Sequence, residues 1–350
     1  MISNALRARA TLANKASLFK PAAMANFASS DKPLVTITGL DGFVGPHTAL
    51  EFLKTGDYRV RATVRKNADQ GKMAEIKKAY GSLYQDLEIV EAELLEEDSM
   101  IKAIEGSTYV AHLASPYYLD NKTRDELVGP AVNGTLGAMK ACTHWGVKRC
   151  VFTSSYACIR WTAKEDAPPD NVYTEKYWSN PDRPEGMGDY AASKVLAELA
   201  GWDYQKKNPG FEVVTICPTL ILGPGIGRAN VVSEEFVHSI LKNFTPNIAC
   251  ASNYYVDVRD VAKAHVRAIQ VPEAKNQRFM VHGDHATKED IRDMLAELYG
   301  SQGFKPGCDT INDAGAQGVK NDNSAAKNVL GMDFIPLKTT LKDMTDAMIR

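Results

Sequence analysis

With 350 residues the chain can hold one large α/β domain and a smaller companion. Its 44% hydrophobic and 24% charged content is that of an ordinary globular protein. A formal charge of −2 gives no reason to expect nucleic acid or an anionic membrane as the main partner, and no apolar run is long enough to span a bilayer.

Residues 1–30 carry Arg7, Arg9, Lys15 and Lys20 and no acid; Asp31 is the first. Without a continuous apolar stretch a secretory signal is not expected. An Arg-bearing, Ser-containing, acid-free segment has the composition of an organelle transit peptide, mitochondrial (matrix) before plastid, or of a disordered tail. The six cysteines, Cys142, Cys150, Cys158, Cys217, Cys250 and Cys308, form no CxxC pair and no Cys/His zinc spacing. No metal site is therefore expected, and the thiols are expected reduced and mostly buried.

Residues 32–38 form a short β-branched run, a buried parallel strand by composition. It feeds directly into Gly39, Leu40, Asp41, Gly42, Phe43, Val44 and Gly45, then into a helix closed by Gly56. Glycines at i, i+3 and i+6 between strand and helix let backbone N–H groups approach a diphosphate at a helix N-terminus. Asp41 is an adverse charge there, so its carboxylate is expected to point away. A second strand, 58–65, ends in Arg65 and Lys66, with Lys72 following. A site that reads NAD places an acid at this point for the ribose diol. Cations favour a 2′-phosphate, hence NADPH.

A third strand at 87–90 leads to Glu93 and Leu94, close to the expected adenine position. A short helix at 98–105 precedes a fourth strand starting at Tyr109, whose loop carries Ala114, Ser115 and Pro116. His112 on that strand reads as a satisfied core residue. A helix from Pro130 to Trp145 carries Asn133, and a fifth strand at 147–153 runs into Ser154 and Ser155. Strand alternating with helix five times predicts a doubly wound parallel α/β sheet, with ligands at the strand C-terminal ends.

The run YAASKVLAELAGWDY begins at Tyr190, and Val195, Leu196, Leu199 and Trp202 fall at helical spacings. Tyr190 and Lys194, four apart, share a face. A phenol titrates near ~10 when unperturbed; a close ammonium stabilises phenolate and makes the pair a proton donor for neutral-pH chemistry. Downstream, 233–243 and 259–270 read as helices, Thr287 to Asp290 as a capping box opening another, and 301–323 as loop.

The chain resembles an extended short-chain dehydrogenase/reductase, of the dihydroflavonol reductase-like branch that includes fungal carbonyl and methylglyoxal reductases. The matching segments are TGLDGFVG at 38–45, VRATVR at 60–65, ASP at 114–116, VNGTL at 132–136 and VFTSS at 151–155. YAASKVLAE at 190–198, CPTLILGP at 217–224 and VDVRDVAKAH at 256–265 continue them in family order. The resemblance implies a Rossmann domain at 31–217, with 257–271 returning to it, and a substrate-binding lobe from 218–256 and 272–350. It makes Ser155, Tyr190 and Lys194 the catalytic set, with Asn133 steadying the site. Arg65 and Lys72 match the 2′-phosphate contacts, and Pro218 and Thr219 the segment beside the nicotinamide. Two departures are Cys217, where Asn or Ile is frequent, and Glu93, where Asp is usual. PEGMGD precedes Tyr190 in place of the NWYC of cinnamoyl-CoA reductases, which argues against a CoA thioester.

These readings converge on an NADPH-dependent reductase of a small-molecule aldehyde or ketone, as a monomer or a homodimer. Tyr117, Tyr118, Trp178 and Phe236 are aromatic candidates for lining its substrate site. Two rivals stand beside it. A mitochondrial complex I accessory subunit of this superfamily binds NADPH without turnover, and a complete Ser/Tyr/Lys set argues against that role. Epimerases and dehydratases retain NAD, against which the cations at Arg65 and Lys72 argue.

Overall fold

Short β-branched runs such as LVTIT pair in parallel, and the sheet they make positions everything else. The computed structural model describes residues 31–115, 123–182, 188–227, 232–243, 254–308 and 319–349. The first half runs β1 (Leu34–Thr38), α1 (Val44–Thr55), β2 (Arg59–Val64), α2 (Gln70–Tyr80) and β3 (Leu87–Glu91). It continues through α3 (Glu97–Ala103), β4 (Tyr109–His112), α4 (Arg124–Trp145) and β5 (Arg149–Thr153). Next come the one-turn α5 (Ala157–Arg160), β6 (Val172–Tyr173), the long α6 (Asp189–Lys207), β7 (Glu212–Pro218), β8 (Leu220–Leu222) and α7 (Val232–Lys242). The chain finishes with β9 (Tyr255–Asp257), α8 (Val258–Gln270), β10 (Arg278–Val281), α9 (Lys288–Tyr299), β11 (Lys320–Asn321), α10 (Ser324–Asn328) and α11 (Leu337–Ile349).

The main sheet has seven strands in the order β10-β7-β5-β4-β1-β2-β3, each pair parallel. The order reverses between β1 and β4, so a crevice opens above their C-terminal ends. β1 is buried at all five positions because helices cover both faces. On one side Phe52 of α1 and Val261 of α8 join Val35, Ile37 and Phe279 in a single cluster. On the other, Met139 of α4, Met100 of α3 and Phe152 of β5 form a second. Full burial of a side chain such as Phe52 contributes about 2–3 kcal/mol. The smaller lobe has its own core, in which Phe236, Tyr255, Leu295, Leu341 and Met344 pack over the β8–β9 pair.

Several boundaries differ from the sequence reading. The fourth helix begins at Arg124, not Pro130, because Thr123 and Glu126 form a complete capping box ahead of it and Pro130 is carried inside the helix. α2 was not anticipated; Asp69 caps it by accepting from the Lys72 N–H at 2.7 Å. Residues 278–281, assigned by resemblance to the lobe, are instead the edge strand of the main sheet, paired with Thr215 to Pro218. Within the expected loop, Lys320 and Asn321 pair with Val172 and Tyr173. Residues 1–30 and 309–318 lie outside the described residues, so nothing here bears on the expected transit segment or on the middle of that loop. Among the described residues no helix is long and apolar enough to cross a membrane.

Candidate active site

The glycine turn is closed by its own backbone. Gly39 has φ +83°, and a Cβ there would stand 3.2 Å from Ala114 Cα of the neighbouring loop. A Cβ on Gly45 would stand 2.0 Å from the Gly39 carbonyl oxygen, so the turn admits only hydrogen at that point. α1 then starts with Phe43 at its N-cap, no side-chain cap and no acid in its first turn. Its first N–H groups, including those of Val44 and Gly45, are left to a ligand or water. Gly42 N–H closes the turn onto Gly39 O at 3.0 Å.

Asp41 turns onto Arg65, as expected, accepting from its Nε at 2.8 Å. Arg65 is itself well exposed at the lip of the turn, its side chain 73% accessible. Lys72 is placed differently. From the first turn of α2 its Nζ donates to the carbonyls of Asp41 (2.6 Å) and Gly42 (3.1 Å), bracing the loop from behind. Burial pushes the Lys72 ammonium pKa down, with Asp41 acting against it. Glu93 accepts from the Lys66 N–H at 3.0 Å and so points back to the end of β2. Leu94 leans on α4, where a Cβ on Gly134 would come within 2.9 Å of its Cγ.

Across the crevice, α6 presents Tyr190 and Lys194 on one face. Lys194 Nζ lies 5.6 Å from the centre of the Tyr190 ring, within cation–π range, and donates to Ser115 Oγ at 2.8 Å. Burial strips water from this ammonium and lowers its pKa to about 8, with Cys158 acting weakly the other way. Ser155, half-buried at the end of β5, accepts from Ala157 N–H at 3.1 Å. Ser154 is tied elsewhere, its hydroxyl donating to Glu198 at 2.5 Å inside the protein. The structure therefore separates the two serines, one facing into the buried network and one at the crevice.

Thr38 Oγ1 accepts from the N–H groups of Leu113 and Ala114, both at 3.0 Å. Its own proton then goes to His112 Nδ1 at 2.9 Å. His112 is buried and its pKa is lowered to about 4, so it is a neutral core residue, as expected. At the end of β7, Pro218 O accepts from Tyr156 N–H at 2.9 Å, and Thr219 N–H donates to Val281 O at 3.2 Å. Thr219 Oγ1 is buried with no hydrogen-bond partner. Asn133 is exposed on α4, with no described hydrogen bond to Ser155, Tyr190 or Lys194. Phe236 is fully buried in the lobe core, and Trp178 stacks on Arg278 at 3.6 Å. Pro116, Tyr117 and Tyr118 lie outside the described residues.

A dinucleotide fits these residues. The cradle excludes a Cβ, the helix N-terminus is uncapped, a cation ends β2, and an orphaned hydroxyl at Thr219 waits at the far end. A separate cleft of about 500 Å³, bordered by Tyr109, Lys148, Phe211 and Asn276, opens at the opposite, N-terminal end of the strands and takes no part in this site. Sequence reasoning missed Thr38, Glu198 and Arg278. Spacing could have flagged Glu198, which continues the 190–194 face at i+8.

The model of the NAD dependent epimerase/dehydratase family matches residues 35–282. The chain belongs to that family. This family member is 32% identical over 319 residues to cinnamoyl-CoA reductase 1 of Oryza sativa subsp. japonica, with 90% of each chain covered. It is 31% identical over 329 residues to dihydroflavonol 4-reductase of Zea mays, covering 92% of this chain and 89% of the relative. Among solved structures, yeast methylglyoxal/isovaleraldehyde reductase Gre2 complexed with NADPH matches with a TM-score of 0.75 and 28% identity. That match covers 90% of this chain and 98% of the yeast protein. The Gre2–NADPH complex from Candida albicans gives 0.76 and 27%, over 91% and 98% of the two chains. The extended short-chain reductase resemblance and the Rossmann-like parallel sheet are thus both met.

Proposed function

We propose that the protein is an NADPH-dependent reductase of a small aldehyde or ketone. The observation that carries this reading is the Tyr190–Lys194 pair, a phenol with an ammonium 5.6 Å from its ring centre, on the helix that faces the glycine turn across the crevice. NADPH, when bound, supplies the hydride that becomes the new C–H bond. Tyr190 gives its proton to the carbonyl oxygen, which stays on carbon as the hydroxyl of the product alcohol. Ser155 donates a hydrogen bond to the same oxygen and stabilises the charge developing there. Lys194 keeps Tyr190 acidic and, released from Ser115, binds the nicotinamide ribose. Arg65 takes the 2′-phosphate. Lys72 contributes chiefly by holding the glycine turn, since two of its donors are already on loop carbonyls. Gly39, Gly42, Phe43, Val44 and Gly45 cradle the diphosphate, Glu93 and Leu94 flank the adenine, and Ala114, Ser115 and Pro116 border the cofactor. Pro218 and Thr219 meet the nicotinamide, and Asn133, exposed on α4, is retained as the residue that steadies the site.

The aldehyde named for the yeast neighbour and the PEGMGD stretch before Tyr190 both favour a small carbonyl over a CoA thioester. Residues 1–30 are proposed as a mitochondrial import segment, tested by fusing them to a fluorescent reporter; a cytosolic reporter would reject it. The deciding assay follows NADPH absorbance against aldehydes, diketones and α-ketoaldehydes. Substrate-dependent oxidation that falls by about 10²-fold or more in Tyr190→Phe, with NADPH still bound, is expected. Near-normal turnover in that variant would reject the assignment.

A further inference from the structure

Glu198 lies one helical turn beyond Lys194 on the same face of α6, and its side chain is fully buried. This one carboxylate collects donors from four elements. Arg278 of β10 approaches with Nε at 2.7 Å and Nη2 at 3.2 Å. Ser154, at the end of β5, donates at 2.5 Å, Thr215 of β7 at 2.9 Å, and Trp202 of α6 itself at 3.3 Å. Arg278, 9% accessible, also donates to the carbonyls of Glu175 and Tyr177 and stacks on Trp178. Burial alone would push the Glu198 carboxyl pKa up; the Arg278 charge and these donors hold it low.

Stability does not account for such a pair, because well-packed apolar side chains of the same volume stabilise a core as well or better. What an apolar pair lacks is direction. Fixed lone pairs and a planar guanidinium set the rotation and depth of α6 against β5, β7 and β10. Ser154 precedes Ser155, and Glu198 lies one turn beyond Lys194 on the helix that carries Tyr190, so the network adjoins both the turn and the helix that bear the reacting set. We propose that Glu198 and Arg278 are positioning residues whose ion pair locks the Tyr190–Lys194 face of α6 to the Ser154–Ser155 turn. This rests on the catalytic reading above. The groups facing Lys194 electrostatically are Cys158 and His112, and Arg278 neutralises Glu198, so the pair acts through position.

The test uses the full-length chain with two variants. Ser154→Ala drops the hydroxyl's contacts to Glu198 and Cys158 and leaves the ion pair. Glu198→Leu with Arg278→Met removes both charges together, so no lone charge is buried. Each is read for NADPH sites per chain, for kcat and KM per site, and for Tyr190 ionisation by ultraviolet difference titration against Tyr190→Phe in the same background. Site number and KM are expected to stay within about twofold while kcat per site falls about tenfold, the scale of a sub-ångström to ångström misplacement. Tyr190 is expected to titrate at higher pH than in the parent, because Lys194 no longer stands over its ring. A purely structural role would lower the number of sites and leave kcat per site and the Tyr190 titration unchanged; that result in folded Ser154→Ala overturns the proposal. Should the double variant fail to fold, Ser154→Ala decides alone. If the parent binds NADPH and reduces no carbonyl, the catalytic reading falls separately, and the Tyr190 titration still decides the positioning role.

Discussion

Lys194 is the residue whose environment most directly shapes the proposed chemistry. Burial lowers its pKa to about 8, so below that pH it is the cation beside Tyr190 and above it the charge is lost. Accordingly kcat/KM for NADPH, which reports the free enzyme, is expected to fall as pH rises through about 8; a flat profile from pH 7 to 9 would contradict this. Arg65 and Lys72 make a second residue-scale test, because they looked equivalent in the sequence and are not equivalent in the fold. Arg65 stands at the lip, paired with Asp41, whereas Lys72 braces loop carbonyls that any dinucleotide would need. Arg65→Ala is expected to weaken NADPH binding about tenfold or more and NADH binding little, by loss of a charge-assisted contact. Lys72→Met is expected to weaken both alike. Fluorescence titration with the two cofactors distinguishes these outcomes.

Helices and strands were readable to the extent that their signals are local. β1, α1 and the capping box at Thr287 needed only composition, glycine and an Asp at the third helical position. The start of α4 was also written locally, in Thr123 and Glu126, but Pro130 looked like a first helical residue and masked it. α2 was missed although Met73, Ile76 and Tyr80 fall at helical spacing, since charged residues dominate the rest of its length. The two-residue strands β6 and β11 carry no local signal, because their pairing joins residues far apart in sequence. Where α8 begins, a local cap and a long-range tie coincide. Asp257 accepts from Arg259 N–H at 2.8 Å, from the Arg259 guanidinium at 2.7 Å and from Thr340 of α11 at 2.7 Å. Its side chain is fully buried. Asp257→Ala is expected to cost at least about 2 kcal/mol, the upper range of an N-cap loss, as measured by urea denaturation. A change under about 0.5 kcal/mol would show the cap to be incidental.

At the scale of the whole molecule, residues 33–350 form one compact unit in which the reversal of strand order opens the proposed cofactor crevice. Deleting residues 1–30 is expected to leave NADPH affinity and turnover within about twofold of the full chain, since every described site residue lies beyond them; a tenfold loss would give that segment a part in the site. Residue order alone carried the strand–turn–helix cradle, the cation ending β2 and the Tyr190–Lys194 pair, because each depends on contacts within one or two turns of the chain. The placement of β10 at the sheet edge, the division of labour between Ser154 and Ser155, the bracing role of Lys72 and the interior position of Glu198 could not be read that way. A charged residue on a helix is expected in water unless a partner is brought to it, and here the partner, Arg278, lies eighty residues away in the sequence. Only the packing of β5, β7 and β10 under α6 brings those charges together and makes their burial tolerable.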